Sequence, residues 1–288
     1  MLSIFLATLT ASTTLIFASL GGISSERSGV VNIALEGMLL FSAFGATLGS
    51  FYGGAAFGIL LGVIFGLTLS LIHAVACVRF KVNHIVSGLA INLLAFGLCR
   101  FLLKAIFGSS SNSARVAGLP KITFGVEGGY EFPVFFLVAS GCVLLFHFFL
   151  FRTPSGLRLS ACGENPKAAE SLGINVSRLR FLGVALSGVF CGLAGAFLAL
   201  DNHQFTDGMS GGRGFIAIAA YIAGAWKPWR SFVICLLFGL AQSIEIFFQT
   251  VGVNIPVEFI QIFPYLFCIA MVAFLARTTR APQALGQS

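Results

Sequence analysis

The segment GAAFGILLGVIFGLTLSLIHAVACV, residues 54–78, holds no Asp, Glu, Lys or Arg. It is long enough to cross a hydrocarbon core, which takes about 20 residues of helix. Working outward from it, apolar runs place helices near 2–20, 33–50, 54–78, 85–107, 132–151, 179–200, 214–226, 230–249 and 258–276. Of the 288 residues, 57% are hydrophobic and 9% charged, whereas soluble domains carry about 25% charged residues. The expected fold class is all-α: a polytopic helical membrane protein with about nine transmembrane helices, forming a single domain over 1–288. No soluble domain of useful size remains. The seventh run is short for a full crossing, and is tilted, broken or re-entrant.

The formal net charge of +7 does not form a nucleic-acid patch, because Lys and Arg sit at the ends of apolar runs. Basic residues at such ends set orientation in a bilayer. Arg79 and Lys81, the cluster Arg152, Arg158, Lys167, Arg178 and Arg180, then Lys227 with Arg230, and Arg277 with Arg280, predict four cytoplasmic intervals. The intervals 49–53, 108–131 (Arg115 and Lys121 against Glu127 and Glu131) and 201–213 are neutral or balanced and should face outward. Nine spans meet this alternation with the N-terminus outside and the C-terminus inside. The first run lacks the basic start of a cleaved signal peptide, so it reads as a membrane helix. Arg100 and Lys104 break the pattern near the outer end of the fourth run; they snorkel or line an outer vestibule.

Gly54, Gly58, Gly62 and Gly66 recur every four residues, as do Gly188 and Gly192, and such faces let helices pack closely. The seven cysteines are scattered singly and read as small hydrophobes. The stretch Ser25 to Gly37 precedes two apolar runs and Val82-Asn83-His84-Ile85; Gly211 to Ala220 precedes two apolar runs and Val253-Asn254-Ile255-Pro256. With opposite starting sides, the two halves read as an inverted repeat, a common build of transport proteins; the general likeness of Gly/Ala-rich helices is the competing reading. On the repeat, 28–37 and 208–214 are broken-helix regions beside a pathway, where bare backbone is tolerated away from lipid. Asn32 and Glu36 share a helix face, Gln242 and Glu245 share another, and Asn83, Ser87 and Asn92 form a third polar group beside His84. At membrane depth these are candidates for solute contact, or else for interhelical hydrogen bonds. His84 has no second imidazole at ligand spacing, so no metal site is expected.

One polar interval, 152–178, remains, and it contains a short punctuated helix. Asn165 caps its first turn, Pro166 suits the first helical position, and Gly173 supplies a left-handed exit. Two turns are too few to be stable alone in water, so the helix is held by neighbours or offered to a partner. The chain has no G-x-x-x-x-G-K-[ST] phosphate loop, no Ser/His/Asp set and no metal cluster, so any ATP is hydrolysed elsewhere and no intrinsic catalytic site is expected.

Ser24 to Met38, Val82 to Gly88 and Gly163 to Ala169, with Gly212 to Ala219 and Gly224 to Trp229, resemble the membrane permeases of bacterial ABC importers. The subgroup is that of ribose, branched-chain amino acid and nucleoside permeases, and the last two motifs look like its nucleoside or simple-sugar branch. The resemblance runs from about residue 20 to 275. It implies a second permease subunit forming a homodimer or heterodimer, ATPase subunits that use ATP and Mg, a substrate-binding lipoprotein or periplasmic protein, and no cofactor on this chain. It also implies that 152–178 is a cytoplasmic coupling loop. Glu164, Asn165, Pro166, Lys167, Ala168, Ala169, Glu170, Leu172 and Gly173 would then dock on the ATPase, with Ala168, Ala169 and Leu172 as its apolar face. A nucleoside is the first expectation for cargo; a simple sugar, riboflavin or a branched-chain amino acid are alternatives, as is an ion-coupled secondary transporter using Glu36 or Glu245, or a membrane scaffold that transports nothing.

Overall fold

The computed structural model describes residues 2–124, 130–251, 257–275 and 279–287; Glu127, the Val253 to Pro256 motif and Arg277 lie outside them. Ten helices follow in order: α1 Leu2–Arg27, α2 Leu35–Ala74, α3 His84–Phe107, α4 Val134–Arg152, α5 Pro154–Glu164, α6 Pro166–Ser171, α7 Val176–Asp201, α8 Arg213–Ala223, α9 Pro228–Val251 and α10 Val257–Leu275. Among the described residues six are long and apolar enough to cross a membrane: α1, α2 with the π turn Val75–Arg79 that continues it, α3, α4, α7 and α9.

The runs expected at 33–50 and 54–78 form one 40-residue helical stretch, α2, interrupted at Gly54, whose φ of 80° and ψ of 177° are not helical. Only glycine adopts such a backbone without penalty. The chain folds back there, and Gly58 and Gly62 of the second arm lie against Ser50 and Ala46 of the first. On the same arm Gly66 faces Gly188 and Gly192 of α7, so close that a Cβ on Gly66 would strike the Gly188 carbonyl. The four-residue glycine spacing therefore sets a three-layer contact: first arm, second arm, α7. At the centre α1 is buried from Ser12 to Glu26 and packs on α7, α9 and α8. Its hydroxyls close onto their own helix, Ser12 and Thr13 donating to the carbonyls of Thr8 and Leu9 at 2.6 and 2.7 Å. This satisfies polar groups that lipid or an apolar core would leave unpaired.

Two features stand outside the elements expected from the sequence, a β-hairpin and an additional helix. Lys121–Phe124 (β1) and Tyr130–Pro133 (β2) pair antiparallel, with Ile122 opposite Phe132 and Phe124 opposite Tyr130. Aromatic and β-branched residues in these short runs favour a ladder over a featureless loop. Lys121 bridges Glu131 of β2 at 3.0 Å and Asp201 of α7 at 3.3 Å, fixing the hairpin over the end of α7. Helix α5 is the second departure: Thr153 accepts from the Gly156 N–H at 3.2 Å and Pro154 takes the first position, which is a standard helix start. The seventh apolar run is the 11-residue α8, about 16 Å long, half of a crossing.

Candidate functional site

The capped helix forms as its sequence dictates. The Asn165 side chain accepts from the Ala168 N–H at 3.1 Å, and Pro166 opens α6. At the far end Gly173 has φ 76°, its N–H donates to the Glu170 carbonyl at 2.9 Å, and the Ile174 N–H reaches the Ala169 carbonyl at 3.1 Å. These are the paired bonds of a Schellman exit. The faces of the helix differ from expectation. Ala169 is buried against Cys162 and Val176 of its own chain, whereas Leu172 is 79% exposed and Glu164, Lys167, Ala168 and Glu170 face solvent. A helix of six residues gives no periodicity from which to predict which alanine turns inward.

Helix α6 is mechanically joined to the bundle. Glu164 lies 3.6 Å from Arg27 at the end of α1, and Arg27 also donates from Nε to the Trp226 carbonyl at 3.2 Å and stacks over Phe151. Gly163 is pressed on Arg27, where a Cβ would strike its carbonyl. A tail segment closes the same corner: Ala284 N–H donates to the Gly163 carbonyl at 2.9 Å, and Gly286 N–H to the Gly29 carbonyl at 3.0 Å.

Gly29 opens the first helix break, 28–34. Its polar backbone is met by Asn32 of the break itself and by side chains of α2 and α3, with Ser187 of α7 holding Asn32. Asn32 Oδ1 accepts from the Ala34 N–H at 3.0 Å while its Nδ2 donates to Ser187 at 2.8 Å. Asn92 donates to the Ile33 carbonyl at 3.0 Å and accepts from the Gly37 N–H at 2.8 Å. His73 bonds the Val31 carbonyl and Ser87, at 3.0 and 2.9 Å, and the Val31 N–H donates to His84 Nδ1. Asn83 caps α3 through the N–H groups of Ile85 and Val86.

The second break, 202–212, joins the first through Glu36. Both carboxylate oxygens are used: Oε1 accepts from the Gly212 N–H at 2.8 Å and Oε2 from the Gly214 N–H at 2.6 Å. A carboxylate at these unpaired N–H groups suits the positive end of α8. The other end of α8 is held by a second buried acid. Glu26 accepts from Tyr221 at 2.7 Å and from the Trp226 indole at 2.6 Å, and Trp226 is turned toward it by left-handed backbone at Ala225 and Trp226. Thus two acids on the first part of the chain clamp the half-helix of the second.

Beside the second break lies a cavity of about 510 Å³ between α1, α7, α8, α9 and α10. Gln242 and Glu245 line it, with Asp201, Asn202, Arg213 and Tyr265. The other sequence candidates, Asn32, Glu36, Asn83, Ser87 and Asn92, are engaged in the hydrogen bonds above and do not line it. Arg100, read as snorkelling or lining a vestibule, pairs with Asp207 at 2.7 Å. Sequence reasoning assigned no role to Glu26, Arg27 or the tail. The signal for the first two was a Glu-Arg pair directly after a long apolar run.

A helical membrane protein with two broken helices at a shared junction, and an exposed capped helix geared to that junction, belongs to the class of membrane permeases. The profile of the family described as "Branched-chain amino acid transport system / permease component" matches residues 4–275, and the chain belongs to that family. It is 38% identical to the guanosine ABC transporter permease protein NupQ of Bacillus subtilis, over 97% of this chain and 94% of that one. It is 37% identical to the nucleoside ABC transporter permease protein NupC of Lactococcus lactis, over 96% and 92%. Identity to the putative glucose ABC transporter permease protein TsgC13 of Haloferax volcanii is 34%, over 98% and 95%.

Proposed function

We propose that this chain is the membrane-spanning subunit of an ATP-driven importer and that its cargo is a nucleoside. The observation that carries the drive is α6: a capped helix with a solvent-facing Leu172, joined by Glu164 to Arg27 beside the first break. The cargo rests on likeness to the guanosine and nucleoside permeases over nearly their whole length. ATP and Mg are used by a partner ATPase on which α6 docks; a second permease subunit and a substrate-binding lipoprotein or periplasmic protein complete the assembly.

In this reading the polar interval with α6 is cytoplasmic, the N-terminus lies outside and the tail inside. The hairpin at Gly54 turns α2 into two passes, giving nine with α8 as a half-length one. Support for the inverted repeat is that α1 and α7 each end before a break, α2 and α8 each start after one, and the two breaks meet at Glu36. Movement of α6 is passed by Glu164 and the Gly163 contact to Arg27, then through the first break and Glu36 to α8, which forms one wall of the cavity at Gln242 and Glu245. The cavity opens alternately to either side as α8 is displaced, and no bond of the solute is made or broken.

The test is reconstitution with the partner subunits in vesicles, following labelled guanosine uptake and ATP hydrolysis together. Leu172→Glu with Ala168→Arg should leave the bundle assembled yet abolish uptake and solute-stimulated hydrolysis. Uptake driven by an ion gradient without ATPase would sink the reading, as would full coupling in the double variant.

A further inference from the structure

Three depressions on the α2/α7 side of the molecule are linked by shared lining residues and change character from one to the next. The first is an apolar groove along the last turns of α2, from Thr68 past Ile72 and Val75 to Phe80, of about 500 Å³. Val75 also borders the second, which holds Arg79, Arg178 and Phe181. Arg178 in turn borders the third, of about 560 Å³, with Arg158 and the aliphatic Leu179 and Leu182. Ile72, Phe80 and Leu182 are exposed, at 46%, 70% and 54%. Among the described residues no carboxylate lies within ion-pair distance of Arg79, Arg158 or Arg178.

We infer that this linked groove is a binding site for one anionic phospholipid, with the phosphate headgroup among Arg79, Arg158 and Arg178 and an acyl chain along Thr68 to Phe80. The gradient has the polarity of such a molecule. Twelve residues of helix rise about 18 Å, close to one leaflet's share of an about 30 Å hydrocarbon core. Arg79 and Arg178 lie where membrane-crossing α2 ends and α7 begins, with Arg158 of α5 bordering the same depression as Arg178; this is the level of headgroups, and basic pockets between helices at that level select anionic lipid. Guanidinium groups hold phosphate by paired, charge-assisted bonds, and the three here have no competing acid. The π turn Val75–Arg79 widens the end of α2 at the point where the apolar groove meets the basic basin.

The site is independent of the cargo, but Leu172 and Gly173 line the third depression, so an ATPase docked on α6 is the rival occupant. The full chain, extracted from vesicles of phosphatidylcholine with one-fifth phosphatidylglycerol, is examined by native mass spectrometry. We expect one phosphatidylglycerol to be retained through delipidation that strips phosphatidylcholine, and retention to fall at least fivefold in Arg158→Gln/Arg178→Gln. Ile72→Trp, which fills the apolar groove and keeps every charge, should lower retention as well; these two variants differ in folding risk, and near-native helicity in either suffices. Equal retention of the two lipids overturns the proposal. So does unchanged retention in both folded variants, or a double variant that loses a co-purified ATPase subunit while keeping the lipid.

Discussion

The two helix breaks, 28–34 between α1 and α2 and 202–212 between α7 and α8, occupy like places in the helix order and differ in how their backbone is met. The break at 28–34 is filled: Asn32, Asn92, His73 and His84 meet its backbone, and Gly286 closes its outer strand. The break at 202–212 rests on Glu36 on one side and on residues 111–116 on the other, where the Ser113 and Val116 N–H groups donate to the Phe205 and His203 carbonyls and that of Asp207 to the Ser111 carbonyl. It also leaves Asp207 Oδ1 and Ser210 Oγ buried without partners and borders the cavity. Its backbone is left-handed at His203, Gly208, Gly211 and Gly212. Satisfied polar groups specify one arrangement, whereas unsatisfied ones and strained backbone accompany segments that move. In the transport cycle proposed above, the first break is the anchor and the second is the working part.

The sharpest way to break that contrast is Glu36→Ala, which strips two buried N–H groups of a charged acceptor. Charge-assisted bonds of this kind contribute about 1.5–3 kcal/mol each, so folded yield in detergent should collapse; Glu36→Gln, keeping one acceptor, should recover part of it. Asn92→Leu touches only the anchor and leaves the Gly37 N–H and Ile33 carbonyl unpaired. It should lower the thermal midpoint by an amount equivalent to about 2–4 kcal/mol. Next comes Asn165→Ala on α6, about 1 kcal/mol for the lost cap. Ala169 is the one residue of that helix buried against the rest of the chain, so the thermal midpoint should move little while uptake per ATP hydrolysed falls. Smallest is Arg100→Gln at the working break. Arg100 is 68% exposed in its pair with Asp207, so stability should shift by less than about 1 kcal/mol, and only the uptake rate should change. If Arg100→Gln destabilised as much as Asn92→Leu, the two breaks would be equivalent and the contrast lost.

What the sequence made legible follows the range of the physics involved. Apolar length placed the six long membrane helices, and local rules placed Asn165, Pro166 and Gly173 at the ends of α6, since capping is decided within a few residues. Gly54 was readable as part of a packing face but not as the hinge. The Glu36 bond to Gly212 and Gly214 was hidden, because it joins residues 176 and 178 positions apart. Glu36 and Gln242 looked equivalent as polar residues in apolar runs; only packing separates the one that clamps a helix from the one that lines a cavity. Thr153-Pro154 announces the start of α5, but its 11 residues lack the apolar length that marks a membrane helix. The β1 and β2 strands have four residues each, too few for alternation to mark them.

The bond from Gly286 to Gly29 also sets an order of events in biogenesis. The two residues are separated by most of the chain, and translation adds about 5–20 residues per second. The first break must therefore wait, in the membrane and incompletely closed, for roughly tens of seconds after its own residues have been inserted. During that interval Asn32 and its neighbours have only each other and the lipid, and a chaperone or insertase that shelters polar backbone would find its substrate there.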